Sequence, residues 1–456
     1  MSVADRITTS RLANDAKAYV LESRSNITVD LIGYLEGGLG LEASQQAGVA
    51  NLCVGTLDRG TRTRAHDEIA EALESCGARV SFDLTPETTT FRARCLSEDL
   101  ALVLSILAEC LAAPSFPEAQ LKIGREEALA GLREAAIDTY ARAYECGAGL
   151  VLGADHPYAR DPLGRDAVVP RVTAEQVHAF HRRLLSSSRL RLAVIGDVSV
   201  DEVTTLLEET LGSLPPVDER SHGGALPDEG REAASTVAPT AGSAAAPADA
   251  SVDVSVDASA GGPHIGQREH LALPDKEQVD LFFMRRGVPR TAPDFEAYAL
   301  ANFLVGGSFL SRLNQRLRDQ EGLTYGAQST IVSGLEAGLW YAYVSVHPRD
   351  VERCVEMTFA ELARFAAEGP ADDELEMARL HLTGSFPIKL EAKRVVASVL
   401  LDSVRTGRGL DYIDRYCERV MAIGRGQVIE AARGLWLGAP MTVASAGASL
   451  PAGTGR

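Results

Sequence analysis

Residues 68–111 read EIAEALESCGARVSFDLTPETTTFRARCLSEDLALVLSILAECL, and the apolar spacing changes character twice along them. The opening EIAEALESCG carries apolar side chains at helical spacing and stops at Gly77, the residue type that accepts the left-handed turn closing a helix. ARVSFDL and TTTFRARCL then alternate as strands do, with turn-forming Thr85-Pro86-Glu87 between them. EDLALVLSILAECL returns to helical spacing. Much later the chain repeats this plan. SRLNQRLRDQEG reads as a helix ending at Gly322, LTYGAQSTIV and LWYAYVSV as strands around Ser333-Gly334, and RDVERCVEMTFAELARFAAEG as a helix. Helix, strand, strand, helix occurring twice in the same order marks a duplicated unit.

The flanks extend the repeat. Each half opens with strand-like residues, Ala18, Val20 and Leu21 followed by Ile27, Val29, Leu31 and Tyr34 in the first, and Val279, Leu281, Phe282 and Phe283 in the second. Each closes on a further strand, LRLAVIGDV or MTVASAGA, after long helices. The expected fold class is α+β: two duplicated domains, each an antiparallel sheet with helices packed on one face. Between them, residues 215–266 are Ala, Ser, Gly, Pro and Asp with almost no large apolar side chain, so burial cannot offset the entropy of ordering them. This segment is expected to be a flexible linker joining an N-terminal domain, 1–214, to a C-terminal domain, 267–456.

Composition narrows the functional classes. The formal charge of −18 and pI near 5.0 come from acids spread along the chain, which leaves no basic face for a phosphate backbone and excludes nucleic acid as a partner. No apolar run approaches the roughly 18 residues of a membrane helix, and residues 1–20 lack the apolar core of a signal peptide. The seven cysteines are odd in number and scattered, without a CxxC pair, as small buried residues of a reducing compartment would be. A cytoplasmic protein without membrane contact is expected. His178 and His181 on AEQVHAFHRRLL have no acid or Cys nearby to complete a metal set and are expected on a solvated helix face.

Ala47-Gly48-Val49-Ala50-Asn51-Leu52-Cys53-Val54-Gly55-Thr56-Leu57-Asp58-Arg59-Gly60-Thr61 resembles the segment GLAHLLEHMLFKGT of the pitrilysin/insulinase metallopeptidases, in which two His and a Glu form an inverted zinc motif, HxxEH. His156-Pro157-Tyr158 with Gly164, and Leu192 to Val198, resemble two later landmarks of that family. Gly306-Gly307-Ser308, Ser311-Arg312-Leu313, Arg318 and Gly322-Leu323-Thr324-Tyr325 resemble its signature GGG…SRLFxxiRexxGLaY. The resemblance implies a chain shaped as half of a clamshell. It also departs at the chemistry. Asn51 and Gly55 stand at the zinc His positions, Val54 at the catalytic Glu, and the third ligand, a Glu on the following long helix, falls near Gly131 or Leu132. Zinc needs imidazole, thiolate or carboxylate donors, and a carboxylate to activate water. No metal is therefore expected in this chain.

The peptide-handling side of the resemblance is retained. It implies that Arg318 and Tyr325 reach a substrate's backbone carbonyl, where guanidinium and phenol donors stabilise developing negative charge. It also implies that Gly306, Gly307 and Ser308 form a glycine-rich turn against the peptide. Read alone, Arg318 is a charge paired to Asp319 or Glu321 on a helix whose apolar side holds Leu310, Leu313 and Leu317, Tyr325 is a strand aromatic, and the glycines form a plain turn. The leading expectation is a non-catalytic subunit lending these groups to an HxxEH-bearing homologous partner, with peptide as substrate and zinc in that partner. The alternatives are a structural protein of the same fold and a peptidase with an unrecognised metal site.

Overall fold

A computed structural model describes residues 2–187, 190–214, 264–336 and 338–451. Apart from Ile265 and Gly266, which begin a strand, and His264 before them, the 215–266 segment lies outside the described residues. The strands are β1 (Ile7–Arg11), β2 (Lys17–Glu22), β3 (Thr28–Glu36), β4 (Arg79–Leu84), β5 (Thr88–Leu96), β6 (Leu190–Gly196), β7 (Ile265–Ala272), β8 (Val279–Arg286), β9 (Ala327–Val332), β10 (Leu339–Val346) and β11 (Met441–Gly447). The first half carries helices α1 (Val49–Val54), α2 (His66–Ser75), α3 (Leu100–Ala112), α4 (Glu118–Ile137), α5 (Thr139–Leu152), α6 (Ala174–Ser187) and α7 (Val200–Glu209). The second carries α8 (Phe295–Asn302), α9 (Val351–Glu368), α10 (Asp372–Leu390), α11 (Lys393–Arg405), α12 (Tyr412–Ala422) and α13 (Arg425–Trp436).

The duplication is exact at the level of strand order. One sheet runs β1-β2-β6-β3-β5-β4 and the other β7-β11-β8-β10-β9, so that removing β1 superposes the two orders. Gly77 and Gly322, the helix-closing glycines, take φ values of +65° and +63°, where a side chain would clash with the following carbonyl. Each sheet is antiparallel except for one pair, β2 with β6 and β7 with β11. The expectation of a wholly antiparallel sheet fails at that pair because the closing strand returns through long helical connections. These allow it to enter the sheet in either direction, whereas a hairpin does not.

A second difference explains the first half's apolar pattern. Helices cover both faces of each sheet, not one, and the second cover comes from the other half. From the C-terminal half, α11 lays Val396, Ala397, Leu400, Leu401 and Val404 against Tyr19, Leu21, Ile32, Tyr34, Ala193 and Ile195. In return α5 packs Ala143, with Tyr140 and Tyr144, on Phe282, Met284 and Ala446 of the second sheet. Strands β6 and β11 are accordingly buried at every position, as strands covered on both faces are. Each half keeps its own core besides, built around Phe91 and Leu104 in one and Trp340, Phe365 and Trp436 in the other.

Polar contacts pin the exchange. Lys393 Nζ donates to Asn26 Oδ1 and to the Thr28 carbonyl, both at 2.7 Å. Asp280, buried on β8, accepts from the hydroxyls of Thr139 and Tyr343. Glu87, at the β4–β5 turn, accepts from the backbone N–H of Leu335 (2.9 Å) and Glu336 (3.3 Å) across the seam, from Tyr158 Oη (2.9 Å) and from Arg405 (2.6 Å). Arg405 also reaches Glu36. Among the described residues no helix is long and apolar enough to cross a membrane.

A chain cut once between residues 215 and 263 should therefore elute as one particle of undiminished size on gel filtration; separation into two halves would contradict the exchange. Burial raises the Glu87 carboxyl, but the Leu335 N–H and Arg405 outweigh it and hold its pKa below the ordinary 4.5. A carboxylate whose folded pKa is depressed contributes its stabilisation above the unfolded value and loses it as pH falls through the folded one. Glu87→Gln should cost about 1–3 kcal/mol at pH 7, and its difference from the parent in urea denaturation should shrink below pH 4.5. Glu36, whose pKa burial raises, works in the opposite direction and is common to both proteins.

Candidate functional site

The short helix α1 is capped from outside its own sequence. Gly48, at φ +114°, offers no side-chain cap, and Glu42 supplies one, accepting the N–H groups of Gly48 (2.9 Å) and Ala50 (2.8 Å) on Oε1. Arg160 pairs with Glu42 at 3.6 Å and also donates to the carbonyls of Glu42 and Leu39. Both side chains are nearly sealed from water, 2% exposed for Glu42 and 5% for Arg160. Burial raises the Glu42 carboxyl, and the Ala50 and Gly48 N–H groups and Arg160 oppose that rise.

The helix so positioned presents no donor set. Val54 is 2% exposed within the first-half core, Asn51 is half-buried, and Gly55 is exposed. Cys53 is buried, which pushes its thiol up and denies the site a thiolate. Helix α4 approaches α1 at Gly124, where an added Cβ would lie 3.2 Å from Leu52. One turn and more further on, the Leu163 side chain stands 2.6 Å from where a Cβ on Gly131 would be, so an apolar group occupies the space a ligand there would need. Of the acids flanking these positions on α4, Glu127 pairs with Arg59 at 2.8 Å and Glu134 is exposed. Among the described residues no three His, Cys, Asp or Glu side chains gather as a metal set. A zinc ion at the position the resemblance implies does not fit these residues.

His178 and His181 correct the expectation of a solvated face. His181 is buried, its Nε2 2.7 Å from the Leu111 carbonyl, and both rings meet Phe116 edge-on at 4.9 and 5.7 Å. Phe116 fills the space beside them, a long-range contact with no trace in the local spacing. Tyr158, of the His-Pro-Tyr landmark, serves the Glu87 cluster at the seam.

The C-terminal group is built differently. After α8 the backbone winds as π-helix over Phe303–Gly307 and again over Asn314–Gln320. Gly306 lies so close to β9 that a Cβ would fall 2.5 Å from Ser329 Oγ and 2.7 Å from Ser329 N, which only glycine permits. Gly307 is exposed and Ser308 half-buried. Asn314, buried where the family signature has Phe, donates through Nδ2 to the Ser308 carbonyl (3.1 Å) and Ser311 Oγ (3.2 Å), and accepts from the Ala327 N–H (2.8 Å). It thereby ties the glycine turn to the head of β9, next to Tyr325, which is 94% exposed. Arg318 Nε donates to Asp319 Oδ1 at 2.8 Å, and its guanidinium lies 3.9 Å from the centre of the Phe309 ring. Glu321, the other expected partner, pairs with Arg316 and Arg353 instead. Leu313 and Leu317 are buried as expected, but Leu310 is 70% exposed, because the π-wound segment begins after it and leaves it on the turn.

Between α4, α5 and the 159–170 loop lies a cleft of about 910 Å³ lined by Leu129, Leu132, Tyr140, Tyr144, Arg133 and Arg165 among others. Leu132, one of the two third-ligand positions, is part of its wall. Nothing in the sequence pattern pointed to this cleft, whose walls come from three separate segments.

Residues 21–140 match the family model described as insulinase (peptidase family M16), and residues 171–382 the one described as peptidase M16 inactive domain. Together they span well over half of the chain. The protein belongs to the M16 peptidase family. The M16 description of an inactive domain applies to the matched residues 171–382 and does not cover positions 51–55. Among M16 relatives, the chain is 27% identical over 335 residues to an uncharacterized zinc protease of Streptomyces coelicolor, covering 74% of this chain and 66% of that one. It is 22% identical over 390 residues to a non-peptidase homolog of Helicobacter pylori, covering 83% and 80%. A crystal structure of a peptidase M16 inactive domain from Pseudomonas fluorescens shares the fold, with a TM-score of 0.80 at 22% identity over 97% of this chain and 98% of that one.

Restoring the M16 motif as Asn51→His, Val54→Glu, Gly55→His should not yield a protein that retains stoichiometric zinc after dialysis, read by metal analysis, because Leu163 still fills the third position. Val54→Glu alone should lower stability by several kcal/mol, since it puts an unpaired carboxylate in the core. Asn314→Ala strands the Ala327 N–H and should cost roughly 1–3 kcal/mol in urea denaturation.

Proposed function

We propose that this chain is a pseudo-peptidase, a subunit that does not cleave peptides itself and completes the peptide-binding cleft of an HxxEH-bearing homologous partner. The observation that carries this reading is the contrast between the two former chemical positions. In the first half Asn51 and Gly55 stand at the ligand positions, Val54 at the catalytic Glu position and the Leu163 side chain against Gly131, so no imidazole, thiolate or carboxylate is offered to a metal or a proton. In the second half Tyr325 is exposed and the Arg318 side chain half-buried at 20%, on a backbone braced by Asn314 and Gly306. Groups that receive a carbonyl oxygen serve a reaction only where a nucleophile is supplied, and here that supply comes from the partner's zinc site. The name of the Helicobacter pylori relative, a non-peptidase homolog, supports the reading. A peptide substrate in the cytoplasm, away from nucleic acid and membrane, suits the acidic chain and its unpaired cysteines.

The names of actinobacterial relatives, zinc proteases, favour a second reading in which the chain hydrolyses peptides unaided. One experiment separates the two. The purified chain, an HxxEH homologue from the same source, and their mixture are assayed on a quenched fluorescent peptide alongside zinc analysis of each. Activity is expected in the mixture only, with zinc in the partner. Loss of one carbonyl donor, Arg318→Ala or Tyr325→Phe, is expected to lower the rate of the mixture by roughly 100-fold. Zinc and hydrolysis in the isolated chain would establish the second reading, and full activity of the partner alone would remove the first.

A further inference from the structure

The turn after Gly306-Gly307-Ser308 exposes two large apolar side chains, Phe309 at 71% and Leu310 at 70%. Water around such groups is costly, and a free turn would be expected to fold them inward. This turn is held open. Asn314 Nδ2 donates to the Ser308 carbonyl at 3.1 Å, and Gln315 Nε2 donates to the Leu310 carbonyl at 2.8 Å, so side-chain amides fasten it on both sides of Phe309. Phe309 then covers one face of the Arg318 guanidinium at 3.9 Å, and Asp319 takes its Nε edge. The two Nη nitrogens have no protein partner among the described residues. The result is a donor edge on a side chain 20% exposed, with the Phe309 ring over one face and Leu310 next along the turn.

We propose that Phe309 and Leu310 are the specificity element of the peptide-binding surface, selecting an apolar side chain on the residue whose backbone carbonyl Arg318 receives. This rests on the peptide-binding reading above. In an extended peptide a residue's carbonyl and its own side chain lie within a few ångströms of each other, the same spacing that separates the Arg318 edge from Phe309. A basic side chain placed there meets the guanidinium as a like charge. An acidic one is attracted to it but must shed water against the ring and Leu310. An apolar one removes three apolar surfaces from water at once and leaves the Nη edge to the carbonyl. A second copy of the chain is disfavoured as the occupant, because each copy carries a formal charge of −18.

The test uses the full chain alone and fluorescein-labelled unstructured peptides identical except at one central residue, Leu, Phe, Ser, Asp or Lys, with binding read by fluorescence anisotropy. The Leu and Phe peptides are expected to bind roughly tenfold more tightly than the Ser peptide. The double variant Phe309→Ala, Leu310→Ala should bring that preference below about twofold. Both residues are exposed, so the variant should keep the parent's thermal midpoint. Arg318→Ala should weaken the Leu, Phe and Ser peptides alike. A preference that survives in the double variant overturns this proposal and leaves the peptide-binding reading intact. Absence of peptide binding, or binding indifferent to Arg318→Ala, overturns that reading and this proposal with it. Self-association that the double variant abolishes would assign the turn to a second copy and overturn the proposal as well.

Discussion

Each sheet has its outer face closed by a helix that the opposite half provides, and every other spatial relation in the molecule follows from this crossing. The five apolar residues that α11 buries on the first sheet are worth on the order of 10 kcal/mol, taking about 1.5–3 kcal/mol for each large side chain. That is comparable to the whole net stability of an ordinary domain. Neither half can move off the other without exposing a sheet face built for cover. The spacing between α1 and the π-wound segment bearing Arg318 is thus set by packed cores and by the Glu87 cluster, and the 215–266 segment does not determine it.

Within this rigid frame the two former chemical positions have fared differently. At α1 the positions that metal chemistry would use hold a half-buried amide, a core valine and a glycine, with α4 close at Gly124 and Leu163 of the 159–170 loop against Gly131. On the second half, two asparagines, Asn314 buried and Asn302 half-buried, hold the local backbone. Asn302 accepts from Trp340 Nε1 and Ser329 Oγ, and Asn314 bridges the glycine turn to β9. Buried amides satisfied on every side hold one backbone arrangement and penalise others, because each alternative strands a donor or acceptor.

What could be read from the residues follows the range of the forces involved. Helices ending at Gly77 and Gly322, and strands such as β5 and β10, were legible because periodicity and caps act over a few residues. Strands β1 and β7 were not, since ITTSR and IGQREHLA are exposed on both faces and carry no apolar alternation. The helix exchange has one local trace, the nearly unbroken apolar run of LRLAVIG, which a sheet covered on one face would not need. Which helix provides the cover is a matter of distant residues. The burial of His181 by Phe116 and the exposure of Leu310 belong to the same class. The motif positions 51, 54, 55, 306 to 308, 318 and 325 came from similarity to a known pattern, while Asn314 and Phe309 depart from or fall outside that pattern and needed coordinates.

The cap of α1 has an evolutionary side. Because Glu42 and Arg160, more than a hundred residues apart, secure this six-residue helix at its start, that start is held by groups outside positions 51, 54 and 55. It would outlast substitution at the half-buried and exposed positions 51 and 55, whereas position 54 is held by the core. Gaining a metal there is harder, since the Leu163 side chain and the core around Val54 occupy the space it would need. Such a chain can lose a catalytic centre in single steps, but regaining it requires several simultaneous changes.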